Sequence, residues 1–514
     1  MPRRWLFWLL VLALGATWLT LFQLPLFDED EGEYAEVAVE MAHSGDFITP
    51  TLNGQAFFEK PILAFWLQAP LVDLWGAHAW VFRLPSLLAC LLWIIVLGRF
   101  ARQHWGEEAG MLASLLCLTS LGVTVSAHAA AMDGVLCLLI TLAQLDIYRS
   151  WKNADRSAER RVFLWMALGF LAKGPVAVAV PLLTSLLFYG IQRQWPRWFR
   201  AAFNPWGWAI FLVIAAPWYV AQYHLMGAQF VDYFLWRENV GRITGTLQGH
   251  GGGFFYYFPV LLVIAWPHTQ LLFTALSTSF RQRTEPLTQF LLLWFLVVFV
   301  LFSLAHTKLP HYLLIGLPPL FLLMARHHFT LKGGWLLWLP LPLLILGAGA
   351  LPFLATHFAQ SSHNPYLHSM LAQGPKIFGP RYWIDLGLVL GGCLVLLLLS
   401  RSWWSPPQGK TNRSAVQALL GVMSTLFITL IFLPAASHLQ QDPVLALAKK
   451  SAQYGFPIVA DNRMPSFAVY SGHSTINHPP HPQEVVFIRA DHLANLPPFD
   501  VLEQAGGLYL VRIR

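Results

Sequence analysis

The stretch WLFWLLVLALGATWLTLFQLPLF, residues 5–27, contains no charged side chain and runs directly into the acidic stretch DEDEGEYAE, residues 28–36. An apolar run of this length can cross the hydrocarbon core of a membrane as a helix, which needs about 20 residues. Similar runs recur along the chain, in which 56% of the residues are hydrophobic and 11% are charged. Because lipid offers no hydrogen-bond partners, spans are helices or closed barrels. The length of the runs favours helices and predicts an all-α polytopic membrane protein.

Hydropathy predicts about thirteen spans. We expect the first run to remain as an uncleaved span, because it lacks the small-residue site that ends a signal peptide. The apolar segment 62–77 lies between the acidic stretch and a better span, so it is predicted to lie at the membrane interface or to re-enter. The predicted spans are 5–27, 80–98, 109–127, 131–148, 162–172, 174–191, 205–224, 256–277, 287–305, 311–325, 334–352, 384–400 and 414–434.

Lysine and arginine are distributed unevenly over the predicted loops. With a cytoplasmic N-terminus, the inner segments contain most of these residues, as the positive-inside rule requires. This orientation places the loop 28–79, with juxtamembrane helices, and the flexible loop 225–255 on the outer side. Residues 437–514 also lie outside. They contain short β-rich pieces separated by Pro, Asn and Gly, which predicts a small α/β domain after a membrane domain at 1–436.

Residue usage excludes two classes of site. The cysteines lie inside apolar runs, where a free thiol acts as a small hydrophobic group, so neither disulfides nor a cysteine metal site is predicted. The formal net charge is +7, but the basic residues are spread over short loops rather than gathered in a patch. Nucleic acid is therefore not a predicted partner, whereas membrane lipids are. The cysteines are Cys90, Cys117, Cys137 and Cys393.

The acidic stretch 28–36 lies directly after the first predicted span. Crowded carboxylates raise one another's pKa unless a cation offsets them, so the stretch is a candidate for acid–base or metal chemistry. Glu33, Glu36 and Glu40 recur at helical spacing and share one face. In the alternative interpretation Glu36 and Glu40 are simply solvated. Asp30, next to the membrane, is the better candidate for function.

Several basic residues lie at the outer boundary of the predicted spans. Glu59 and Lys60 precede a proline, which suits the first turn of a helix, where free backbone N–H groups favour an anion such as phosphate. Lys173 and Lys308 interrupt or end apolar runs on the side where basic residues are scarce. Together with Lys60 and Arg242 they predict a cationic site at the height of lipid phosphates. The alternatives are a surface Glu59–Lys60 ion pair and ordinary membrane anchors.

Two further segments, the start of the span 131–148 and the loop 225–255, are also predicted to lie on the outer side of the membrane. Asp133 begins the fourth predicted span from the outside, where it either caps the helix or contributes to the site. In the loop 225–255, Arg242 and His250 precede a run of three glycines. Flexibility beside basic residues fits a loop that gates access to a substrate.

Four motifs carry a resemblance to a known family. They are DEGEYAEVAVEMAHSGDFITPTLNGQAFFEKP at 30–61, MDGVLCL at 132–138, LAKGPVAVA at 171–179 and HTKLPHYLL at 306–314. In this order they resemble the membrane glycosyltransferases of the GT-C class, in particular the bacterial protein O-mannosyltransferase-like family, which includes the lipid A aminoarabinose transferase. The resemblance implies a polyprenyl-phosphate-linked sugar donor of the undecaprenyl type. It also implies a multi-pass protein of the bacterial inner membrane whose acceptor, a lipid such as lipid A or lipopolysaccharide, another envelope glycan or a protein, is reached from the periplasm.

The resemblance also implies roles for single residues. Asp30 takes the position of the catalytic aspartate, with Glu59 as a second catalytic residue beside the donor. The one cofactor that the resemblance allows is a divalent metal ion, held by Glu59 and His250. The implied substrate-binding residues are Glu31, Glu33, Lys60, Asp133, Lys173, Arg242, Lys308 and Tyr312.

Some questions stay open at this level. Asp28 and Glu29 duplicate the acidic pair, which leaves Asp28 as a rival to Asp30. Glu33 stands where the aminoarabinose enzymes typically have arginine, so the sugar and the acceptor are undetermined. A secondary transporter or lipid flippase, and a lipid-binding partner without activity, are the alternatives from other classes. The acids occupy one large loop and the halves of the chain do not repeat, which favours the glycosyltransferase.

Overall fold

The computed structural model describes residues 3–246, 251–328, 338–400, 413–454, 458–460, 464–472, 475–476 and 478–514. Helices dominate, as the apolar runs predicted. Up to residue 244 they are α1 (Arg3–Leu21), α2 (Asp30–Ser44), α3 (Leu63–Trp75), α4 (Ala79–Trp105), α5 (Glu107–Thr119), α6 (Leu121–Ala127), α7 (Asp133–Asn153), α8 (Arg156–Lys173), α9 (Val176–Ile191), α10 (Trp195–Ala202), α11 (Pro205–Met226), α12 (Ala228–Val231), a π-helical segment (Asp232–Val240) and α13 (Gly241–Thr244). A short hairpin, β1 (Thr51–Leu52) and β2 (Gln55–Ala56), lies between α2 and α3.

The remaining elements include both helices and a sheet. The helices are α14 (Tyr257–Ile264), α15 (Thr269–Arg281), α16 (Pro286–Leu304), α17 (Leu317–His327), α18 (Pro340–Ser361), α19 (Pro365–Leu371), α20 (Gly374–Ile377), α21 (Pro380–Ser400), α22 (Arg413–Phe427), α23 (Leu433–Ser451) and α24 (Ser466–Ser471), with 3-10 turns at Phe254–Tyr256, Pro310–Gly316 and Ala490–Asn495 and a π-helical segment at Ile428–Phe432. The strands are β3 (Ile458–Ala460), β4 (Thr475–Ile476), β5 (Val485–Arg489), β6 (Phe499–Ala505) and β7 (Leu508–Ile513).

Every predicted span overlaps one of these helices, but helix length supports a smaller count of spans. Within the described residues, six helices are long and apolar enough to cross a membrane, or up to eight if each of two bent pairs forms one span. The bends are 66° between α5 and α6 and 117° between the segments Phe254–Ile264 and Thr269–Arg281. The helical fold is therefore confirmed, while the count of thirteen spans stays a prediction.

Helix α2 presents the acidic stretch. It begins with acidic residues in its first turn, where carboxylates interact favourably with the helix dipole, and it ends at Gly45, whose φ of 69° suits a glycine C-cap. The solvated alternative for its acidic face is wrong for Glu36, which is only 2% exposed. Glu40 is partly buried, and its carboxylate accepts hydrogen bonds from Thr51 and Gly54 of the β1–β2 hairpin. This face of α2 therefore packs against protein.

A small C-terminal unit contains the sheet, in the order β4-β3-β5-β7-β6. The strands β4, β3 and β5 are parallel, while β7 pairs antiparallel with β5 and β6. Helices α23 and α24 pack on it through a core that includes Leu447, Phe467 and Phe487. The predicted α/β composition of this unit is confirmed. Helix α23 runs continuously across the expected boundary at 436/437, which itself remains a prediction.

The C-terminal unit rests directly on the acidic segment. The Tyr470 hydroxyl accepts a hydrogen bond from the backbone N–H of Leu26, and the Thr475 hydroxyl donates to the side chain of Asn53. Helices α2 and α24 are in contact. The start of α2 is therefore enclosed between the helical bundle and the C-terminal unit.

Candidate active site

A cavity of about 800 Å³ lies where α2, one end of the helical bundle and the C-terminal unit meet. This volume falls within the range of about 300–1,000 Å³ that is common for ligand sites. The walls differ in composition, since α2 contributes carboxyl groups, whereas the other elements contribute cations that are each paired with an acid. The predicted site residues that line it are Asp30, Glu33, Glu59, Lys60, Asp133, Lys173, Arg242 and Tyr312.

Antiparallel helices bring Asp133 and Lys173 together. Asp133 is the first residue of α7 and Lys173 is the last residue of α8, so the two ends of this helix hairpin meet at the same height. The Lys173 Nζ lies 2.6 Å from Asp133 Oδ1, and both side chains are mostly buried. The Asp133 carboxylate thus forms an ion pair that holds the lysine in place. Gly174 then ends α8 with a φ of +81°, a conformation that favours glycine.

Tyr312 lies between two cations. Its ring centroid is 5.8 Å from Lys173 Nζ, and its hydroxyl accepts a hydrogen bond from Arg242 at 3.2 Å. Arg242 is also paired with Glu238, with 2.7 Å between Nη2 and Oε2. Arg242 belongs to the short helix α13, so part of the segment 225–255 that was expected to be a flexible loop is helical. Glu238, which the resemblance did not single out, orients the arginine.

Glu59 and Lys60 lie in a bend shortly before α3, which begins at Leu63, and so not at the helix N-terminus that the proline suggested. The Lys60 Nζ is 3.8 Å from Glu59 Oε2, and both side chains are about 15% exposed. The pair is therefore not the exposed surface ion pair of the alternative interpretation. It lines the cavity and adds a third cation to it.

The carboxylates of α2 differ from one another. Asp30 is exposed to the cavity, and among the described residues its carboxylate makes no hydrogen bond or ion pair. Glu33, one turn later, is partly buried. Loss of solvent, with a further contribution from the charge of Glu59, raises the pKa of Glu33 to about 8. An accessible carboxylate thus lies beside a carboxyl group that retains its proton near neutral pH.

Two predicted residues, Glu31 and Lys308, do not line the cavity. Glu31 is buried and forms an ion pair with the fully buried Arg83, 2.6 Å between Oε2 and Nη2, so it anchors α2 instead of facing the cavity. Lys308 donates hydrogen bonds to the carbonyls of Phe302, Ser303 and Ala305. Its chain neighbours Thr307 and Leu309 line the cavity, but Lys308 does not. His250 lies outside the described residues.

The described residues contain no group of three or more His, Cys, Asp or Glu side chains arranged to hold a metal ion. Glu59 is in the cavity, but its expected co-ligand His250 lies outside the described part of the chain.

Sequence reasoning missed several residues that reach the cavity from the second half of the chain. His311 could have been found, because it precedes Tyr312 in the motif HTKLPHYLL. No sequence signal pointed to the others, since they come from the C-terminal unit and from helix α19. They are Tyr366, Gln440, Met464 and Arg489.

Comparisons with known proteins agree with this architecture. A family profile described as dolichyl-phosphate-mannose-protein mannosyltransferase matches residues 59–220. The chain is 30% identical over 365 residues to the undecaprenyl phosphate-alpha-4-amino-4-deoxy-L-arabinose arabinosyl transferase of Pseudomonas paraeruginosa, which covers 68% of this chain and 66% of that relative. A protein of the same name from Aeromonas hydrophila is 32% identical over 315 residues, 60% of this chain and 57% of the relative. The matched stretches thus span less than two thirds of these relatives.

Similarity of fold extends over nearly the whole chain. The molecule has the fold of a GT-C-like membrane glycosyltransferase, as its motifs indicated. Within that class the fold is that of ArnT: the crystal structure of ArnT from Cupriavidus metallidurans bound to undecaprenyl phosphate matches with a TM-score of 0.80 and 21% identity, covering 99% of this chain and 98% of that chain. The apo state matches with a TM-score of 0.77. The resemblance inferred from the sequence is confirmed.

Proposed function

We propose that this chain is a membrane glycosyltransferase that transfers a sugar from an undecaprenyl-phosphate-type donor to a lipid acceptor such as lipid A. The observation that carries the proposal is the cavity that the accessible carboxylate of Asp30 lines together with Lys60, Lys173 and Arg242. The relatives in Pseudomonas and Aeromonas bear the name of such an activity, and ArnT of the same fold was crystallised with undecaprenyl phosphate. Another envelope glycan or a protein is the alternative acceptor.

The cavity supplies both groups that the reaction needs. An acceptor hydroxyl oxygen attacks the anomeric carbon of the donor sugar and gives its proton to the Asp30 carboxylate, which acts as the base. The bond between the anomeric carbon and the phosphate oxygen breaks. The electron pair of that bond stays on the phosphate, whose charge Lys60, Lys173 and Arg242 stabilise. A single displacement of this kind inverts the anomeric configuration.

The proposed site lies at the outer face of the bacterial inner membrane. In this arrangement the N-terminus is cytoplasmic, and both the cavity and the C-terminal unit, 437–514, are periplasmic. The uneven distribution of lysine and arginine over the loops supports this orientation. A donor held in the membrane by its polyprenyl chain would present its phosphate at the height of the cationic wall.

Reconstitution tests the proposal. The purified full chain in proteoliposomes is supplied with undecaprenyl-phosphate aminoarabinose and lipid A, with undecaprenyl-phosphate mannose as a parallel donor. We expect the mass of lipid A to rise by one sugar residue from one donor, with release of undecaprenyl phosphate and an inverted anomeric centre by NMR. A donor that stays intact with every acceptor tested, including envelope glycan and protein, contradicts the proposal. Movement of the intact donor between the leaflets would instead support the transporter alternative.

A further inference from the structure

Asp28, two residues before the proposed base, has surroundings unlike those of Asp30. Its carboxylate accepts hydrogen bonds from the Ser466 backbone N–H at 3.0 Å and from the Gln441 side-chain amide at 2.9 Å, as well as from the Ser466 hydroxyl. The backbone carbonyl of Asp28 accepts a further bond from Gln440 at 3.0 Å. One residue is thus tied to both α23 and α24 of the C-terminal unit.

The backbone two residues after Asp30, at Gly32, also packs closely against the C-terminal unit. A Cβ atom added at Gly32 would lie 2.6 Å from the backbone nitrogen of Ser466 and would also overlap the Asp28 carboxylate. Only glycine leaves room for this approach between α2 and α24. The C-terminal unit therefore contacts the chain two residues before and two residues after Asp30.

Asp30 itself has no such support. Its carboxylate makes no hydrogen bond to any other described residue, so its position in the cavity depends on the backbone at the start of α2. That backbone is held from two sides, by the Glu31–Arg83 ion pair in the helical bundle and by the C-terminal unit, which also contributes Gln440, Met464 and Arg489 to the cavity wall. Burial raises the pKa of Asp28 to about 6, so at neutral pH this group is still the anion that three donors require.

We propose that Asp28, Gln441 and Ser466 form a clasp through which the C-terminal unit positions Asp30, and that Asp28 is a positioning residue and not the base. The inference rests on the proposed glycosyltransferase function. It decides between the two aspartates in favour of Asp30: both line the cavity, but the Asp28 carboxylate already accepts three hydrogen bonds, which would have to loosen if it took a proton from an acceptor hydroxyl. It also gives the C-terminal unit a part in the chemistry.

Substitutions that separate the two roles test this inference in proteoliposomes. In Asp28→Asn the amide keeps the shape of the carboxylate, accepts from the Ser466 N–H and can donate to the Ser466 hydroxyl. It can pair with Gln441 once that side-chain amide turns over to present its oxygen, so kcat should stay within about fivefold of the parent. Asp28→Ala and Ser466→Ala break the clasp and should lower kcat by about 10- to 100-fold, as small misplacements of catalytic groups do. The donor KM should stay within about twofold, because the clasp does not contact the cations.

A matched control and a second readout complete the experiment. Ser471→Ala removes a hydroxyl from the other end of α24 and should leave kcat unchanged. Hydrogen exchange of the backbone at 26–36 should accelerate in Asp28→Ala and Ser466→Ala but not in Ser471→Ala, whether or not transfer is detected.

Two patterns would overturn the inference: an inactive Asp28→Asn with a fully active Ser466→Ala, or unchanged exchange in both clasp variants. Absence of transfer by the parent chain, with the exchange pattern as expected, would instead count against the proposed function alone.

Discussion

At the scale of single residues, Glu33 and Asp30 lie one turn apart on α2, yet only Glu33 is strongly desolvated. Because the pKa of Glu33 is raised from 4.5 to about 8, the folded protein binds this proton more tightly than the unfolded chain does. Its contribution to stability is therefore lost as the pH rises from 4.5 to about 8. Near neutral pH Glu33 adds little negative charge beside Asp30.

Glu33→Gln tests this charge assignment. The amide cannot ionise, so the melting temperature of the variant in detergent should fall by several degrees less than that of the parent between pH 5 and pH 9. Scanning fluorimetry at both pH values measures the difference. Glu107→Gln, at an exposed carboxyl group, should follow the parent. Equal pH dependence in the parent and Glu33→Gln would show that Glu33 ionises in the folded protein as it does in the unfolded chain.

At the scale of elements, the hairpin of α7 and α8 sets the position of Lys173. Gly174 ends α8 with a φ of +81° and a ψ of −147°, and a Cβ there would lie 3.2 Å from the Phe234 ring. This backbone region belongs almost only to glycine, and other residues in it cost about 1–3 kcal/mol. A side chain at 174 should therefore shift the end of α8 and its lysine.

Gly174→Ala is accordingly predicted to weaken donor binding by about tenfold, the factor that corresponds to about 1.4 kcal/mol. Gly106→Ala is the matched control, since Gly106 has a similar conformation, φ +88° and ψ 177°, with open space around its Cβ position. Both variants should lose thermal stability, but only Gly174→Ala should lose donor affinity, measured by titration with undecaprenyl phosphate. Equal affinity in the two variants would show that the end of the α7–α8 hairpin does not contribute to binding of the donor phosphate.

At the scale of the whole molecule, the sequence predicted what depends on local pattern. Apolar runs predicted the helices, and β-rich pieces predicted the C-terminal sheet. The motifs at 30–61, 132–138, 171–179 and 306–314 contain seven predicted site residues that line the cavity: Asp30, Glu33, Glu59, Lys60, Asp133, Lys173 and Tyr312. Contacts between segments that are distant in the chain could not be predicted, because no local pattern in the sequence indicates them. Ser466 meets Asp28 across 438 positions, and Arg83 removes Glu31 from the site by pairing with it. Only the folded chain shows which carboxylates are occupied.

The central claim is that one carboxylate of the cavity, Asp30, acts as the base, while a group of cations binds the donor phosphate. The most direct measurement compares donor binding and transfer in Asp30→Asn and Lys173→Ala, both in the reconstituted full chain. We predict that Asp30→Asn binds undecaprenyl phosphate like the parent but loses transfer by at least about 100-fold, as the loss of a general base does. Lys173→Ala should bind undecaprenyl phosphate at least about tenfold more weakly, as expected when a charged hydrogen bond worth about 1.5–3 kcal/mol is lost. Full transfer by Asp30→Asn, or parent-like affinity in Lys173→Ala, would contradict the account.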